Sequence, residues 1–471
     1  MMKKLAFCFD GTWNKVTSGF PSNVSKIARA IEEEHHGIQQ TVFYDEGVGT
    51  HELGNLTGKL VNKISGALGF GLQQNVIEAY TFLILNYQPG DEIYVFGFSR
   101  GAFTARSFVG LIRNVGILPK RRLFNIREVL GQYRSRSPDE HPSSFRSCEL
   151  RYKLCPHLLL PGDAEWRAKL DTKYDGDTTE LNISYLGVWD TVGALGLPKR
   201  LGLSKAINKK YQFHDTRLSG FVKAARHAVA ADEMRRTFEP ALWTNLQELN
   251  RSSDNKKYLQ KIFPGTHSAV GGGGPHVGLS DGPLEWVFQG AREAGLGFDT
   301  APGSPLFGLL PDHRAPIFNE EGKFGWSTGD KFLGAGLRPR NFSSVSIDQI
   351  DETINRRWHD PNMENSADGS YRPASLTDWH DYIEKSPPKT NINLEDEIFD
   401  GICHKNRELR TPKSVKTYIV QATDRWPDIA VKFGYERDFW KALFLFNFDA
   451  CRVYKPNELY ASREILIPIY Q

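Results

Sequence analysis

Short apolar runs that stop at acid or glycine alternate with segments of helical period through the first 116 residues, and this alternation constrains the fold most. KLAFCFDGT (4–12) is an apolar run that meets an Asp-Gly-Thr turn, the pattern of a buried strand. SNVSKIARAIEEEHH (22–36) offers Ser22 or Asn23 as an N-cap before apolar residues at helical spacing. QTVFYDEG (40–47) reads as a strand, and GLQQNVIEAYTFLILNY (71–87) as a long helix stopped by Pro89-Gly90. DEIYVFGFS (91–99) is again a strand, and RGAFTARSFVGLIRNVG (100–116) a helix. Strand and helix in alternation predict an α/β fold, a mostly parallel sheet with helices on both faces.

Beyond residue 120 the order loosens. Residues 120–180 are rich in Arg, Pro and Asp around an apolar HLLLPG, and read as a mostly helical insertion above the sheet edge, a lid candidate. LNISYLGVWDTVG (181–193) restores a strand that ends at Asp190. LSGFVKAARHAVAADEMRRTF (218–238) reads as a helix by period, and YLQKIFPGTHSAVGGGG (258–274) as a strand running into a glycine-rich loop. Residues 300–380 are rich in Pro, Asn and Asp with weak periodicity. The expected division is a unit over 1–384, a linker over 385–415 and a small unit over 416–471.

Composition narrows the function classes. The chain has 471 residues, 40% hydrophobic and 24% charged, with a net charge of +3, so bulk electrostatics give no case for nucleic-acid binding. Five scattered cysteines (Cys8, Cys148, Cys155, Cys403, Cys451) form no C-x-x-C pair, which predicts free thiols rather than a disulfide framework or a zinc site. No cofactor or metal site is expected. No apolar run approaches the roughly 20 residues that span a bilayer, and MMKKLAFCFD is too short for a signal peptide. The expectation is a chain made and folded in the cytoplasm.

In parallel sheets, reactive groups gather at the carboxyl ends of strands. Ser99, Asp190 and His267 follow three such runs, in the order of a hydrolase nucleophile, acid and base. A serine hydroxyl needs a base to take its proton, and a carboxylate fixes the tautomer of that base. Gly97 and Gly101 flank Ser99 in G-F-S-R-G, where side chains would crowd a sharp strand-to-helix elbow. The amide of Arg100 is a candidate oxyanion donor, and Thr12 in the first strand-end loop is a second. Asp232 and Asp281 remain alternatives for the acid; His214, His227 and His276 for the base. A non-catalytic binding module and a cytosolic esterase of small substrates also stay open. The FDGT string is similar to the aspartyl-phosphatase motif, but Cys8 stands where its nucleophilic Asp belongs. Gly271–Gly274 lacks the phosphate-loop pattern and reads as a close-packed loop. Asp10, Asp45 and Asp281 are able to approach one another, with no spacing that requires an ion.

CFDGTWN, YDEGVGT, NYQPGDEIYVFGFSRGAFTARS, LGVWDTVGALG, FPGTHSAVGGG, LSDGPLEWV and YRPASL together resemble, in this order, the α/β-hydrolase domain of class-one type VI secretion lipase effectors. The resemblance covers about residues 3–380. It implies a serine esterase of phospholipase A type acting on glycerophospholipids at a membrane surface, delivered to other cells by type VI secretion. It maps nucleophile, acid and base onto Ser99, Asp190 and His267. One departure is Ala269, where that family carries Asp in His-Ser-Asp-Val-Gly-Gly. Residues 418–468 resemble a LysM module, a βααβ unit that binds glycans such as peptidoglycan, with Thr423-Asp424 in place of its usual Gly-Asp. Glycan or a secretion-spike protein is the partner class this implies.

Overall fold

The computed structural model describes residues 2–12, 18–47, 61–135, 137–193, 217–251, 257–300, 304–306, 309, 311–319, 337–361, 363, 370–388, 414–421, 424–435, 439–447 and 462–469, with backbone alone for 12, 61–71, 441, 442 and 445. Most of the expected linker, His214, Thr423, Cys403 and Cys451 lie outside these residues.

β1 (Lys4–Thr12), α1 (Asn23–Ala30), β2 (Glu34–His35), β3 (Ile38–Gly47), α2 (Val61–Asn86), β4 (Glu92–Phe98) and α3 (Arg100–Val115) follow the predicted alternation. The insertion adds α4 (Ile126–Arg134), α5 (Phe145–Leu154), β5 (Leu158–Leu159), α6 (Asp163–Lys169) and β6 (Thr179–Glu180). Then come β7 (Tyr185–Trp189), β8 (Ala225–Ala230), α7 (Leu246–Asn250), β9 (Tyr258–Phe263), α8 (His267–Gly271), α9 (Gly278–Glu293), α10 (Glu352–His359) and α11 (His380–Glu384).

Among the described residues the main sheet has seven strands in the order β2-β3-β1-β4-β7-β8-β9. All its pairs are parallel except β2 with β3. Side-chain alternation divides β1 between two cores. Leu5, Phe7 and Phe9 pack with Ala79, Tyr80 and Leu83 of α2 and Ala105, Phe108 and Ile112 of α3. Ala6 and Cys8 face Val24 and Ile27 of α1 and Leu284, Val287 and Phe288 of α9. The period of two along a strand is what allows helices on both faces.

Two expectations are corrected. Residues 225–230 form β8 inside the sheet, not a helix. ARHAVA reads as helical because alanine has high helix propensity. Between β7 and β9, however, small side chains suit a strand covered on both faces, and tertiary burial outweighs the propensity. The insertion is mostly helical as expected, yet it is not a lid over the strand ends. Its Tyr133 lies beside Gly110 of α3, and Asn114 Nδ2 donates to Glu140 O at 2.8 Å. Arg151 donates to Asn114 O at 2.9 Å and pairs with the buried Asp163. These contacts hold the insertion on the C-terminal half of α3, whereas Ser99 precedes its first residue.

The described C-terminal residues include β10 (Ser414–Ile419), α12 (Trp426–Lys432), α13 (Trp440–Phe446) and β11 (Glu464–Ile469), with β10 antiparallel to β11. Val420, Trp426, Ile429, Leu443, Ile465 and Ile467 make their core. Asp424 fixes the first turn, accepting from Tyr418 Oη at 2.5 Å and Gln421 N at 2.7 Å.

Candidate active site

The strand order reverses at β1: β3 lies on one side and β4 on the other, so the loops after β1 and β4 diverge and leave a crevice. Ser99 sits at that point with φ 58° and ψ −123°, a left-handed conformation unusual for a side chain with Cβ. The flanking glycines make the turn sterically feasible. A Cβ on Gly97 would stand 2.6 Å from Ala102 Cα, and one on Gly101 would overlap the carbonyl oxygens of Phe9 and Asp10. That second contact brings the elbow against the end of β1, where Thr12 pairs with Gly47.

Ser99 holds the N-cap position of α3 but makes no side-chain cap hydrogen bond. Ser22 and Ser144, at the starts of α1 and α5, do accept from the helix backbone. Ser99 Oγ instead lies 2.7 Å from His267 Nε2. His267 Nδ1 lies 2.5 Å from Asp190 Oδ2. Asp190 is fully buried and is itself in a positive-φ conformation, φ 37°. Its Oδ1 accepts from Ala230 N at 3.0 Å.

Arg340 completes this arrangement. Its Nη1 donates to Asp190 Oδ1 at 2.7 Å and its Nη2 to Oδ2 at 2.9 Å. Burial by itself raises the Asp190 carboxyl, but the Arg340 charge and the His267 hydrogen bond outweigh it and hold the group well below the carboxylate range. Asp190 is therefore ionised at neutral pH, so His267 Nδ1 carries the proton and Nε2 is left to accept from Ser99. Burial also keeps the imidazole below its ordinary value, against the opposing pull of Asp190. The ring is wedged between Phe98, at a centroid distance of 4.6 Å, and the edge of Phe238, at 4.7 Å. A serine hydroxyl facing a neutral imidazole backed by a carboxylate has the parts for acyl transfer.

A family model described as the T6SS phospholipase effector Tle1-like catalytic domain matches residues 3–290. The chain belongs to this family. A yeast protein, the uncharacterized YEL023C of Saccharomyces cerevisiae, is 27% identical over 273 residues, which are 56% of this chain and 35% of that one. An uncharacterized Pseudomonas aeruginosa protein of known crystal structure is 19% identical, with a TM-score of 0.32 over 63% of this chain and 46% of that one. A Tle1 effector solved bound to the VgrG spike is 18% identical, with a TM-score of 0.32 over 59% and 52%. The chain thus spans about a third to a half of the length of these relatives.

The His267 loop, within the Tle1-like domain, is held from several sides. Asp232 Oδ2 accepts from Gly265 N at 2.6 Å and from Tyr371 Oη at 2.9 Å, so Asp232 supports the loop. Thr266 donates twice to Ile317 O, and Asn319 ties Ser268 O to His276 N. His267 N donates to Glu233 Oε2 at 3.3 Å. The glycine run is close-packed as expected: added Cβ atoms would strike Phe98 at Gly271, Asn23 at Gly272 and Asn319 at Gly274. Ala269 is buried against Gly265 and brings no polar group.

The remaining candidates are engaged elsewhere. His227 is on β8, its Nδ1 3.0 Å from Gln260 Oε1 and its Nε2 accepting from Thr191 N, a satisfied structural histidine. Asp281 pairs with Lys26 at 3.0 Å. Asp10 accepts from Ser22 Oγ at 2.5 Å, Tyr44 Oη at 2.6 Å and Gly11 N at 2.6 Å, while Asp45 accepts from Asn75. No group of three or more His, Cys, Asp or Glu poised for a metal occurs among the described residues. No helix among them is long and apolar enough to cross a membrane. Sequence reasoning missed Arg340, Glu233 and Asn319. Arg340 lies in a stretch without periodicity, where no local pattern marks it.

Proposed function

We propose that the chain is a serine carboxylic-ester hydrolase that cleaves glycerophospholipids with phospholipase A chemistry and acts as a type VI secretion effector. Ser99 is the nucleophile, His267 the general base and Asp190 the carboxylate that orients it. What supports this most directly is Ser99 Oγ, 2.7 Å from His267 Nε2 and free of any helix-capping bond.

In this reading His267 Nε2 takes the Ser99 proton as Oγ attacks the ester carbonyl. The tetrahedral oxyanion faces the amide of Arg100 at the start of α3, with Thr12 at the end of β1 as second donor. Collapse breaks the ester C–O bond, and His267 returns the proton to the leaving lysophospholipid oxygen. Water, deprotonated by the same imidazole, then attacks the acyl-Ser99 carbonyl; the bond to Oγ breaks, His267 returns the proton to Ser99 Oγ, and a fatty acid leaves.

The family description favours a phospholipid. Burial lowers the Arg100 guanidinium to about 10, so it stays positive at neutral pH. A hydrolase unit ending near residue 384 and a LysM-like unit from 416, docking on glycan or on a secretion-spike protein, belong to the same proposal. The family match ends at residue 290 and leaves that last part to the sequence resemblance.

The test is product analysis by mass spectrometry on phospholipid vesicles and p-nitrophenyl esters, with Ser99→Ala as control. Wild type should release fatty acid and lysophospholipid, and Ser99→Ala should lose about three orders of magnitude or more. Hydrolysis of short esters alone would make it a small-ester esterase. An unchanged rate in Ser99→Ala would remove Ser99 from the chemistry.

A further inference from the structure

Arg340 lies beyond the family match, which ends at residue 290, and 150 positions from the carboxylate it holds. It is buried and makes four hydrogen bonds through two nitrogens. Two go to Asp190, one to Ala230 O at the end of β8 at 2.7 Å, and one to Phe238 O at 2.5 Å. The carbonyls of Ala230 and Phe238 are the two ends of one loop, and Phe238 is the residue whose ring edge meets His267. Arg340 also belongs to a strand-like contact: Leu337 bridges Arg235, and Arg338 N donates to Met234 O at 2.8 Å.

We propose that Arg340 is a positioning residue for the Ser99 site, fixing both oxygens of Asp190 so that Oδ2 faces His267, and closing the 230–238 loop that sets Phe238 on the imidazole. The proposal rests on the esterase reading for its consequence on rate, but the geometry it explains is independent of that reading. A bidentate guanidinium sets the plane of a carboxylate as well as its position, which one ammonium cannot do. A carboxylate anchored only by its Ala230 N–H bond would be free to rotate away from Nδ1.

The charge matters as much as the geometry. Arg340, Glu233 and Arg235 are charged groups acting on the Asp190–His267 pair, Arg235 is paired with Glu233 at 2.9 Å, and the Asp232 carboxylate holds Gly265 N in the same loop. His227, also near Asp190, is kept neutral by burial. Removing Arg340 withdraws a positive charge from beside the pair, which favours the imidazolium and so weakens the base at neutral pH.

The experiment uses the full chain with histidine-selective labelling, following the His267 titration by nuclear magnetic resonance, alongside kcat and KM on p-nitrophenyl butyrate. In Arg340→Gln the His267 midpoint should rise by about one pH unit. kcat should fall about 10- to 100-fold with KM little changed, the range seen when an outer partner of a reactive group is removed. A midpoint that stays where wild type has it overturns the proposal. Should Arg340→Gln not fold, Arg340→Lys carries the test: it keeps the charge, so the midpoint stays near wild type, while modification of Ser99 by a fluorophosphonate slows about tenfold. Labelling at the wild-type rate overturns it. If the midpoint moves but wild type hydrolyses no ester, the esterase reading fails and the clamp stands. If hydrolysis depends on Ser99 and neither readout responds to Arg340, the clamp fails alone.

Discussion

The amide of Ser99 donates to the carbonyl of Trp189 across 3.1 Å, tying the elbow after β4 to the last residue of β7. Val192 N returns to Ser99 O at 3.5 Å, so the two turns that carry Ser99 and Asp190 are bonded through their backbones before any side chain is considered. Their side chains meet His267 from fixed directions, which is what a reaction that depends on sub-ångström placement requires.

Asp190→Asn should lower kcat by about three to four orders of magnitude, because an amide can hold the wrong imidazole tautomer. It should also lower the melting temperature, since it withdraws the partner charge from the buried Arg340. Asp232→Asn keeps one acceptor for Gly265 N and should leave kcat within about tenfold of wild type. Steady-state kinetics with thermal melts on both variants check this pair.

The pH dependence follows from His267. Its folded value is depressed, so the neutral, reactive imidazole persists to lower pH than for a free histidine, while Asp190, also depressed, stays ionised throughout. The acid limb of kcat/KM should therefore fall below about pH 6.5, the ordinary histidine value. A pH–rate profile on a soluble ester reads the limb, and a midpoint above neutrality would contradict the burial of this ring.

Gly101→Ala should be damaging because its Cβ overlaps two backbone carbonyls that cannot turn aside. The expected cost is about 1–3 kcal/mol, with fluorophosphonate labelling of Ser99 lost or strongly slowed. Gly131→Ala, at an α4 position with nothing within 4 Å, is the control and should gain about 0.5–1 kcal/mol. Denaturant melts of the two variants separate crowding from the loss of a glycine as such.

Asp163→Ala tests the position of the insertion. It strands the buried Arg151, at a cost of about 3–5 kcal/mol. The contact is on the C-terminal half of α3, a helix about 24 Å long. The folded variant should therefore turn over substrate within roughly twofold of wild type. Denaturant melts and specific activity, measured together, decide this, and a lid would give the opposite result.

Much of this was legible locally. Ser99, Asp190 and His267 each follow an apolar strand, and turn chemistry at Gly97, Gly101 and the glycine run marks close approach of backbones. The helix expected over 218–238 failed because β8 is built from alanines, whose local preference says nothing of the strands that flank it. Arg340 was invisible for a related reason: its partners are Asp190, Ala230 and Phe238, brought together by the fold from far along the chain. The lid was misjudged because composition describes what a segment is made of and carries no information about which end of a helix it covers.

Phe98 pairs with Trp189 in the β4–β7 ladder, so Ser99 and Asp190 leave the sheet at the same level. The distance between Ser99 and Asp190 is thus a matter of strand length. Removing one residue from β7 would preserve every functional side chain, yet it would turn Asp190 to the opposite face of the sheet. The spacing between LGVW and Asp190 is therefore as much a part of the site as the carboxylate, and a chain with all three residues at altered strand lengths would keep the letters without the chemistry.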